Sequence, residues 1–342
     1  MKAEYRVRLV APTHSVHTQL WISAFLEHGH EVEVVSVSGR TPVGLLRQGL
    51  RGVGERLLRR RPDITIVHSL GTHALAGLLL PKGRRNVVVP WGSEVAAARG
   101  RRFRSWVAQR AIARADLMLV TSGSMAETIE AQWDVRPGHL AVVSWGVSPD
   151  LLSEDLPPGS AAVEGVRRQL GISESELMVL APRGTGAAYR SDELRDAFDA
   201  ARELRGGLRL VVLGAGESTS KRSESEVLLP YVSKPELIEL LRASDAVVSV
   251  PHSDQRSTTV LEAVACGSRL LLSDIPPYRE LADLGVEATL IREPIRAGLM
   301  SAMVALERIP EAAARKNRNL MKEYENQNRQ MAQVVDLCTA GA

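Results

Sequence analysis

One stretch, residues 251–279, constrains the fold more than any other part of the chain. An apolar run at residues 246–250 precedes it and is typical of a buried parallel strand. Polar residues 253–257 follow, and then Thr258–Cys266 has the pattern of a helix that a glycine ends. A second apolar run, residues 269–272, predicts a strand leaving that helix. The four parts make a βαβ unit, whose turn lies at the carboxyl end of the first strand, where open α/β sheets bind ligands.

The start of the predicted helix suits an anion. Ser257, Thr258 and Thr259 stand there, so the unpaired N–H groups and the positive end of the helix dipole face the turn. A diphosphate would be held at this position without a metal ion. Glu262 projects a carboxylate one turn into the helix, and Asp254 stands eight residues before it.

The run from Asp254 to Glu262, followed by Ala-Val-Ala-Cys-Gly267, resembles the Glu-x7-Glu signature of family 4 retaining glycosyltransferases. The resemblance implies that Glu262 bonds the ribose hydroxyls of a nucleotide and that the amides between the two acids hold its diphosphate. It also implies that Asp254 bonds hydroxyls of the transferred sugar, although the family usually has the longer Glu there. An ordinary capped helix with a surface Asp and Glu would show the same pattern.

Length and composition bound the remaining possibilities. A chain of 342 residues predicts two domains, each able to bury a core, and 24% charged residues are normal for a globular protein. Aromatic residues make up 4%, so stacking on nucleic-acid bases is not expected, and no nucleic-acid partner is predicted. The two cysteines lack metal-ligand spacing, and no apolar run reaches the ~20 residues of a membrane helix. These features predict a reduced, cytoplasmic protein with no metal site.

The net charge of +3 conceals an asymmetry between the two halves. Residues 1–150 carry 20 Lys and Arg against 12 Asp and Glu, whereas the remainder carries 23 against 28. A basic first half predicts an anionic acceptor or peripheral contact with an anionic membrane, and a general arginine bias on solvated helix faces would look the same. The arginines cluster in two places: Arg56, Arg59, Arg60 and Arg61, then Arg99, Arg101, Arg102 and Arg104.

The first half contains further patterns that resemble family 4. A loop with His17 and Thr18, followed by Trp21, resembles a common amino-terminal loop, although the double glycine of many relatives is absent. Residues 91–94, Trp-Gly-Ser-Glu, resemble the Trp-Gly-Ser-Asp of a subgroup. Residues 145–147, Trp-Gly-Val, resemble the segment that closes the first domain.

A histidine completes the set in this half. His68 follows a predicted strand at residues 64–67, and in the family a His after this strand lines the donor-sugar pocket. The resemblance therefore implies that His68 is a catalytic residue. His73 is the alternative, because Gly71 leaves the register of the turn open. Helices are predicted over residues 43–58 and 99–113.

In the second half, the resemblance implies contacts with the diphosphate and the base. Relatives have an Arg and, several residues later, a Lys that both reach the diphosphate. Arg183 matches the first and Arg190 stands near the second. A guanidinium suits this role because it grips two phosphate oxygens at once. Gly214 belongs to a glycine turn of the kind relatives show. Tyr231 and Val232 match a short strand whose backbone contacts the base.

The resemblance spans nearly the whole chain and implies the GT-B fold, in which two doubly wound, Rossmann-like α/β domains face each other across a cleft. Residues 1–150 would form the acceptor-binding domain and residues 165–310 the nucleotide-sugar-binding domain, joined by a linker at 148–165. Residues 311–337 predict one long helix, and residues 311–342 would cross back onto the first domain.

The implied activity is retaining, metal-independent transfer of a sugar from a nucleoside-diphosphate sugar, with Asp254, Arg183 and His68 as catalytic residues. The donor is a co-substrate, UDP being the favoured nucleotide, and no cofactor is expected. The sequence does not identify the acceptor. Two other classes fit the same motifs: a GT-B epimerase or phosphorylase, and a non-catalytic subunit that binds a nucleotide sugar.

Overall fold

A computed structural model describes residues 4–36, 61–98, 100–153, 160–216 and 219–342. The predicted helix at 43–58 and four of the clustered arginines, Arg56, Arg59, Arg60 and Arg99, lie outside these residues. The chain divides into two compact units. Unit one comprises Met1–Trp145 and Asn328–Ala342, and unit two comprises Gly146–Gln327.

Unit one is built on a parallel sheet. Its described strands are β1 (Arg6–Val10), β2 (Glu31–Val35), β3 (Ile64–His68), β4 (Arg85–Val89), β5 (Leu117–Val120) and β6 (Leu140–Val142). Its described helices before the crossover are α1 (Val16–Glu27), α2 (Thr72–Leu79), α3 (Gly92–Ala98), α4 (Arg102–Arg114) and α5 (Gly123–Gln132).

The described strands of unit one lie in the order β2-β1-β3-β4-β5-β6, and every neighbouring pair is parallel. All five residues of β3 are buried, as expected for a strand covered by helices on both faces. The strand order reverses between β1 and β3, so the loops that follow these strands flank the switch point at which such sheets bind ligands. His68 ends β3 and therefore lies at this point.

Unit two repeats the architecture. Its described strands are β7 (Leu177–Ala181), β8 (Leu208–Val212), β9 (Glu226–Leu228), β10 (Ala246–Ser249), β11 (Arg269–Ser273) and β12 (Ala288–Ile291). Its described helices are α6 (Pro149–Ser153), α7 (Ala161–Gln169), α8 (Ser191–Leu204), α9 (Lys234–Ala243), α10 (Thr258–Cys266), α11 (Pro276–Asp283), α12 (Ile295–Val304) and α13 (Glu311–Tyr324).

The described strands of unit two lie in the order β12-β11-β10-β7-β8-β9, again all parallel. The central neighbours, β10 and β7, are the first strands of two βαβ series that run in opposite directions across the sheet. Their pairing, with Val247 opposite Leu180, places the two following loops side by side at the switch point. One loop contains Arg183 and the other contains Asp254.

The tail differs from the single helix predicted over residues 311–337. It forms α13, which packs against α10 in unit two, and a separate helix α14 (Gln327–Thr339), which places Met331 and Val335 in the core of unit one. The helix stops at Glu325, because that residue's carbonyl accepts a hydrogen bond from the Val147 N–H at 2.6 Å. The crossing segment therefore does not begin at residue 311, since α13 belongs to unit two.

Smaller differences concern the connections. The predicted linker at 148–165 contains α6 and the first residues of α7. The Trp-Gly-Ser-Glu segment, residues 91–94, runs into the short helix α3 from Gly92 onward. The basic helix predicted over residues 99–113 begins at Arg102. Among the described residues, no helix combines the length and apolar character that crossing a bilayer requires.

Candidate functional site

The loops that follow β7 and β10 bring a cation and an anion together. The Arg183 Nη1 atom lies 3.0 Å from Oδ2 of Asp254 and also donates a hydrogen bond to the Ser257 hydroxyl. The guanidinium stands 4.8 Å above the centre of the Tyr189 ring. Burial works to lower the pKa of Arg183, but Asp254, Tyr278 and Tyr189 together outweigh it, so that pKa is raised. The guanidinium is therefore charged at every physiological pH.

Asp254 is itself held from behind by a buried phenol. The Tyr278 side chain is fully buried, and its hydroxyl donates to Oδ2 of Asp254 at 2.8 Å. The same hydroxyl lies 3.0 Å from the buried Ser249 Oγ atom, at the end of β10. The other carboxylate oxygen, Oδ1, accepts a hydrogen bond from the Gln255 N–H at 2.9 Å. Asp254 thus has its orientation set on both oxygens.

The helix α10 begins beside Arg183. Ser257 is its N-cap residue, but its hydroxyl accepts from Arg183, and no side chain caps the helix. Thr258 and Thr259 occupy the first turn, which contains no acidic residue. The first N–H groups of a helix have no partners within the helix. This end of α10 can therefore receive an anion between its amides and the guanidinium.

One turn further along α10, Glu262 carries a buried carboxylate that is only partly satisfied. The residue is 4% exposed, its Oε1 accepts a hydrogen bond from the Lys234 ammonium, and its Oε2 is buried without a partner among the described residues. Burial raises the pKa of Glu262, although Lys234 opposes that shift. A buried acceptor without a hydrogen bond destabilises the fold, so a ligand hydroxyl that donated to Oε2 would gain binding free energy.

Lys234 was not singled out from the sequence. It is the first residue of α9, and a capping box fixes that helix start, because the Ser233 N–H donates to the Glu236 carboxylate at 2.7 Å. The Ser-x-x-Glu pattern is visible in the sequence. The sequence does not show that α9 packs beside α10. This packing brings Lys234, the first residue of α9, to Glu262.

The predicted base-binding residues surround two glycine turns. Gly184 and Gly214 have φ values of 84° and 72°, which favour glycine. The Tyr231 ring lies against both, since a Cβ on Gly214 would stand 2.7 Å from Tyr231 Cζ. Tyr231 is 77% exposed and Val232 is half-buried. Both lie in the loop after β9, not in a strand as predicted.

Arg190 is placed differently from Arg183. Its guanidinium donates to Nδ1 of His252 at 3.1 Å and pairs with Glu293 at 2.7 Å. It also occupies the left-handed region, with φ of 53°, between a short 3-10 turn and α8. The structure therefore groups Arg183, Asp254 and Ser257, whereas Arg190 is bonded to a separate set of partners.

In unit one, His68 is enclosed by aromatic rings. Its ring centroid lies 4.6 Å from that of Trp21, 6.4 Å from that of Trp91 and 6.3 Å from that of Trp145. Burial lowers the pKa of His68 to about 3, with smaller contributions from His17 and His73. The imidazole is therefore neutral at physiological pH, and it offers one donor and one acceptor.

Several polar atoms around His68 have no described partner. Both of its ring nitrogens are buried and unpartnered among the described residues, as are the Trp21 and Trp91 indole nitrogens and the Thr18 hydroxyl. Glu94 has a structural role, since its Oε1 accepts from the N–H groups of Trp91 at 2.5 Å and Leu70 at 3.0 Å. Unpaired buried donors are rare in folded proteins and often mark ligand sites.

Models of known protein families match both halves of the chain. The family model described as Glycosyltransferase Family 4 matches residues 1–151, and the one described as Glycosyl transferases group 1 matches residues 164–329. The chain belongs to glycosyltransferase family 4. The resemblance inferred from the two spaced acids is thereby confirmed.

Two curated relatives of this family 4 glycosyltransferase have the same name, D-inositol 3-phosphate glycosyltransferase. The relative from Geodermatophilus obscurus is 25% identical over 232 residues, which are 61% of this chain and 50% of the relative. The relative from Xylanimonas cellulosilytica is 24% identical over 272 residues, 75% of this chain and 62% of the relative. The chain thus matches between half and about three fifths of their length.

Solved structures share the fold of this glycosyltransferase. HepE from Anabaena, in complex with UDP and glucose, superposes with a TM-score of 0.78 at 12% identity, covering 98% of this chain and 100% of HepE. Sucrose-phosphate synthase from Thermosynechococcus elongatus gives 0.79 at 13% identity, covering 98% of each chain. Together with the two parallel sheets, these likenesses confirm the predicted GT-B fold.

The bond from Tyr278 to Asp254 generates a test in this glycosyltransferase. Tyr278→Phe keeps the buried ring and removes the hydroxyl that serves Asp254 and Ser249. Since Asp254 and Ser249, the two partners of this hydroxyl, lie in a largely buried setting, we expect the free energy of unfolding to fall by about 1–3 kcal/mol in urea denaturation. Tyr324→Phe, at a residue that is 44% exposed, is the control and should change it by less than about 0.5 kcal/mol.

A double-mutant cycle separates this bond from general loss of packing. Tyr278→Phe and Asp254→Ala should be coupled by about 1 kcal/mol or more, because each variant already removes the same hydrogen bond. Unfolding free energies that add to within about 0.3 kcal/mol would show that the hydroxyl does not hold Asp254.

Proposed function

We propose that this protein transfers a sugar from a nucleoside-diphosphate sugar to an acceptor hydroxyl, with retention of configuration at the anomeric carbon. The observation that carries the proposal is the grouping of Arg183, Asp254 and the uncapped start of α10 at the switch point of unit two. A paired cation beside free amides suits a diphosphate, and the carboxylate beside them suits sugar hydroxyls. Family membership supports the same reading.

The diphosphate takes its charge compensation from Arg183 and the first amides of α10. When the sugar leaves, negative charge grows on the diphosphate, and preorganised donors stabilise that charge without rearranging. The bonds to Asp254 and Ser257 hold the guanidinium in place before the donor arrives. These protein groups are sufficient for a metal-independent reaction. The described residues contain no group of three or more His, Cys, Asp and Glu side chains arranged to hold a metal.

The ribose binds Glu262. Its Oε2, which has no partner among the described residues, accepts a hydrogen bond from one ribose hydroxyl. The second hydroxyl donates to Oε1, either beside Lys234 or in its place. Lys234 is 46% exposed at its side chain, so its ammonium can move into solvent as the nucleotide enters. Charge-assisted bonds of this kind are each worth about 1.5–3 kcal/mol.

The transferred sugar is bonded by Asp254. Its Oδ2 already accepts from Arg183 and Tyr278. Among the described residues, Oδ1 accepts one hydrogen bond, from the Gln255 N–H, and has a further lone pair for a sugar hydroxyl. The shorter side chain of Asp, compared with Glu, fits this arrangement because the buried Tyr278 hydroxyl reaches its Oδ2 atom. In unit one, the neutral imidazole of His68 can exchange a hydrogen bond with an uncharged hydroxyl.

The reaction proceeds on one face of the sugar. The bond from the anomeric carbon to the diphosphate oxygen breaks, and the acceptor oxygen bonds to the same carbon from the same side. The acceptor's proton passes to an oxygen of the departing phosphate, so no carboxylate nucleophile is needed. We assign Asp254 to bonding a sugar hydroxyl through Oδ1, while Arg183 and Tyr278 hold its Oδ2 atom.

UDP is the nucleotide that we propose for the donor. HepE, which shares the fold, was solved with UDP-glucose and with UDP. For the acceptor, the two curated relatives are named for D-inositol 3-phosphate, and the basic first half of this chain would suit an anionic molecule of that kind. We therefore propose a phosphorylated polyol or sugar as the acceptor class.

The ribose contact tests the function directly. Glu262→Gln keeps the shape and removes the charge, so calorimetric affinity for UDP should fall at least about tenfold. Affinity for inorganic pyrophosphate should stay the same, because that ligand lacks the ribose. Glu239→Gln, at an exposed position on α9, is the matched control. Unchanged UDP binding in Glu262→Gln would remove the nucleotide from this site.

Stereochemistry and metal dependence are tested together. Slow hydrolysis across a panel of UDP-sugars should release UDP and a sugar whose first-formed anomer, seen by proton NMR, is that of the donor. The rate should persist in EDTA, since Arg183 and the α10 amides balance the charge of the leaving group. An inverted anomer would contradict retention. Loss of the rate in EDTA, with recovery in magnesium or manganese, would contradict metal independence.

A further inference from the structure

Unit one displays an aromatic pair on the outer face of α4. Phe103 is 65% exposed and Trp106 is 50% exposed, and their rings stack with centroids 6.2 Å apart. The opposite face of α4 is ordinary core, because Val107, Ala108 and Ile112 are buried. Large exposed aromatics in contact with each other on one helix face are unusual on a surface that stays in water.

The exposed residues around this pair are basic. Arg101, Arg102, Arg104 and Arg110 are all exposed, and the Arg110 guanidinium lies 5.5 Å from the Trp106 ring centroid. Residues 101–115 contain no Asp or Glu. Within the described part of the chain, no carboxylate forms an ion pair with these four arginines, so their charge is available to a partner.

Another arginine of α4 shows the contrast. Arg114 donates to the carbonyl oxygens of Leu78 at 2.9 Å and Leu80 at 2.8 Å, which ties the end of α4 to the end of α2. Its role is structural. The arginines around Phe103 and Trp106 have no comparable role, and we call this exposed set, residues 101–104, 106 and 110, the α4 face.

We propose that the α4 face is the surface through which unit one binds an anionic phospholipid bilayer. Aromatic side chains settle at the level of the lipid headgroups, and a helix with basic and aromatic residues on one face lies in that plane. Anionic headgroups then neutralise the arginines. The inference stands apart from the proposed reaction, because it depends only on this helix.

Charge favours this occupant over a second copy of the chain. Two α4 faces in contact would bring eight arginines together without a single acidic residue from residues 101–115 of either copy. Like charges at such close range oppose association. Within the described part of unit one, Phe103 and Trp106 stack on each other, whereas single-strand binding uses aromatic rings that stack on successive bases.

Flotation with lipid vesicles tests the proposal on the full chain. Vesicles of phosphatidylcholine alone are compared with vesicles containing about one third phosphatidylglycerol. We expect binding at least about tenfold tighter to the anionic vesicles, weakening steeply as salt is raised. Equal binding to both compositions, or none to either, would overturn the proposal.

Two variants separate the contributions of the aromatic residues and the arginines of the α4 face to vesicle binding. Phe103→Ser with Trp106→Ser should weaken binding to anionic vesicles about tenfold, and Arg102→Gln with Arg104→Gln should do so to a similar extent. Matched controls in unit two are Leu204→Ser, at a 66% exposed residue, and Arg168→Gln with Arg296→Gln, at exposed positions. The controls should bind like wild type.

The remaining outcomes are also decisive. If the aromatic variant lowers the unfolding midpoint, the arginine variant still tests the surface, because its side chains are exposed and outside the core. Wild-type binding by both variants would overturn the proposal. A dimer seen by light scattering and lost in the aromatic variant would assign the face to self-association, and tighter binding to a single-stranded oligonucleotide than to vesicles would assign it to nucleic acid.

Discussion

The ion pair between Arg183 and Asp254 is the interaction on which the candidate site depends. The guanidinium is largely buried, and a buried charge is tolerated only when it is paired and hydrogen-bonded. Asp254 supplies the pair, while Tyr278 and Ser249 fix Asp254 from the core side. Ser249 acts on Asp254 only through the Tyr278 hydroxyl, which it contacts at 3.0 Å. The cation is thus oriented by the fold before any ligand is present, which is the condition for effective electrostatic stabilisation of a leaving group.

The sheet explains why these residues meet. Arg183 and Asp254 are 71 positions apart in sequence, yet each follows one of two neighbouring parallel strands, β7 and β10. Parallel neighbours end at the same edge, so their loops share a crevice, and the helix that follows β10 points its amides into it. Glu262 comes one turn later on that helix, with one buried oxygen unpartnered among the described residues and one on Lys234.

The two units offer different chemistry at their switch points. In unit two the residues are charged: Arg183 pairs with Asp254, and Glu262 pairs with Lys234. In unit one the rings around His68 are neutral and aromatic, and the nitrogens of His68, Trp21 and Trp91 are buried without partners among the described residues. The switch point of unit two therefore suits a charged group, and that of unit one suits uncharged hydroxyls.

Much of this was predictable from the sequence, for reasons that differ by residue. Apolar runs gave β7 and α10 with the bounds that the structure has, because a buried strand and a glycine-ended helix are local patterns. Asp254 and Glu262 were singled out by their spacing and Ser257 by its position at a predicted helix start, and their roles stay predictions. Tyr278 and Lys234 were missed, since their roles depend on which distant elements lie side by side.

The error in the tail has a physical cause. The tail was predicted as one helix because apolar residues recur on both sides of residue 325, but the strand-like bridge between Val147 and Asn326 breaks the helix there.

The assignment of Arg190 to the diphosphate stays a prediction made from its position after Arg183. Its side chain is bonded to His252 and Glu293, and no local sequence pattern indicates these contacts.

Calorimetric titration of two ligands, UDP and uridine, probes the role of Arg183 most directly. The variant combines Arg183→Met with Asp254→Asn, so that both charges of the pair are removed and no lone carboxylate remains to repel the ligand. UDP affinity should fall about thirtyfold or more, while uridine, which keeps the base and ribose, should bind within about twofold of wild type. UDP affinity equal to that of wild type, or an equal loss for both ligands, would contradict the assignment of Arg183 to the diphosphate.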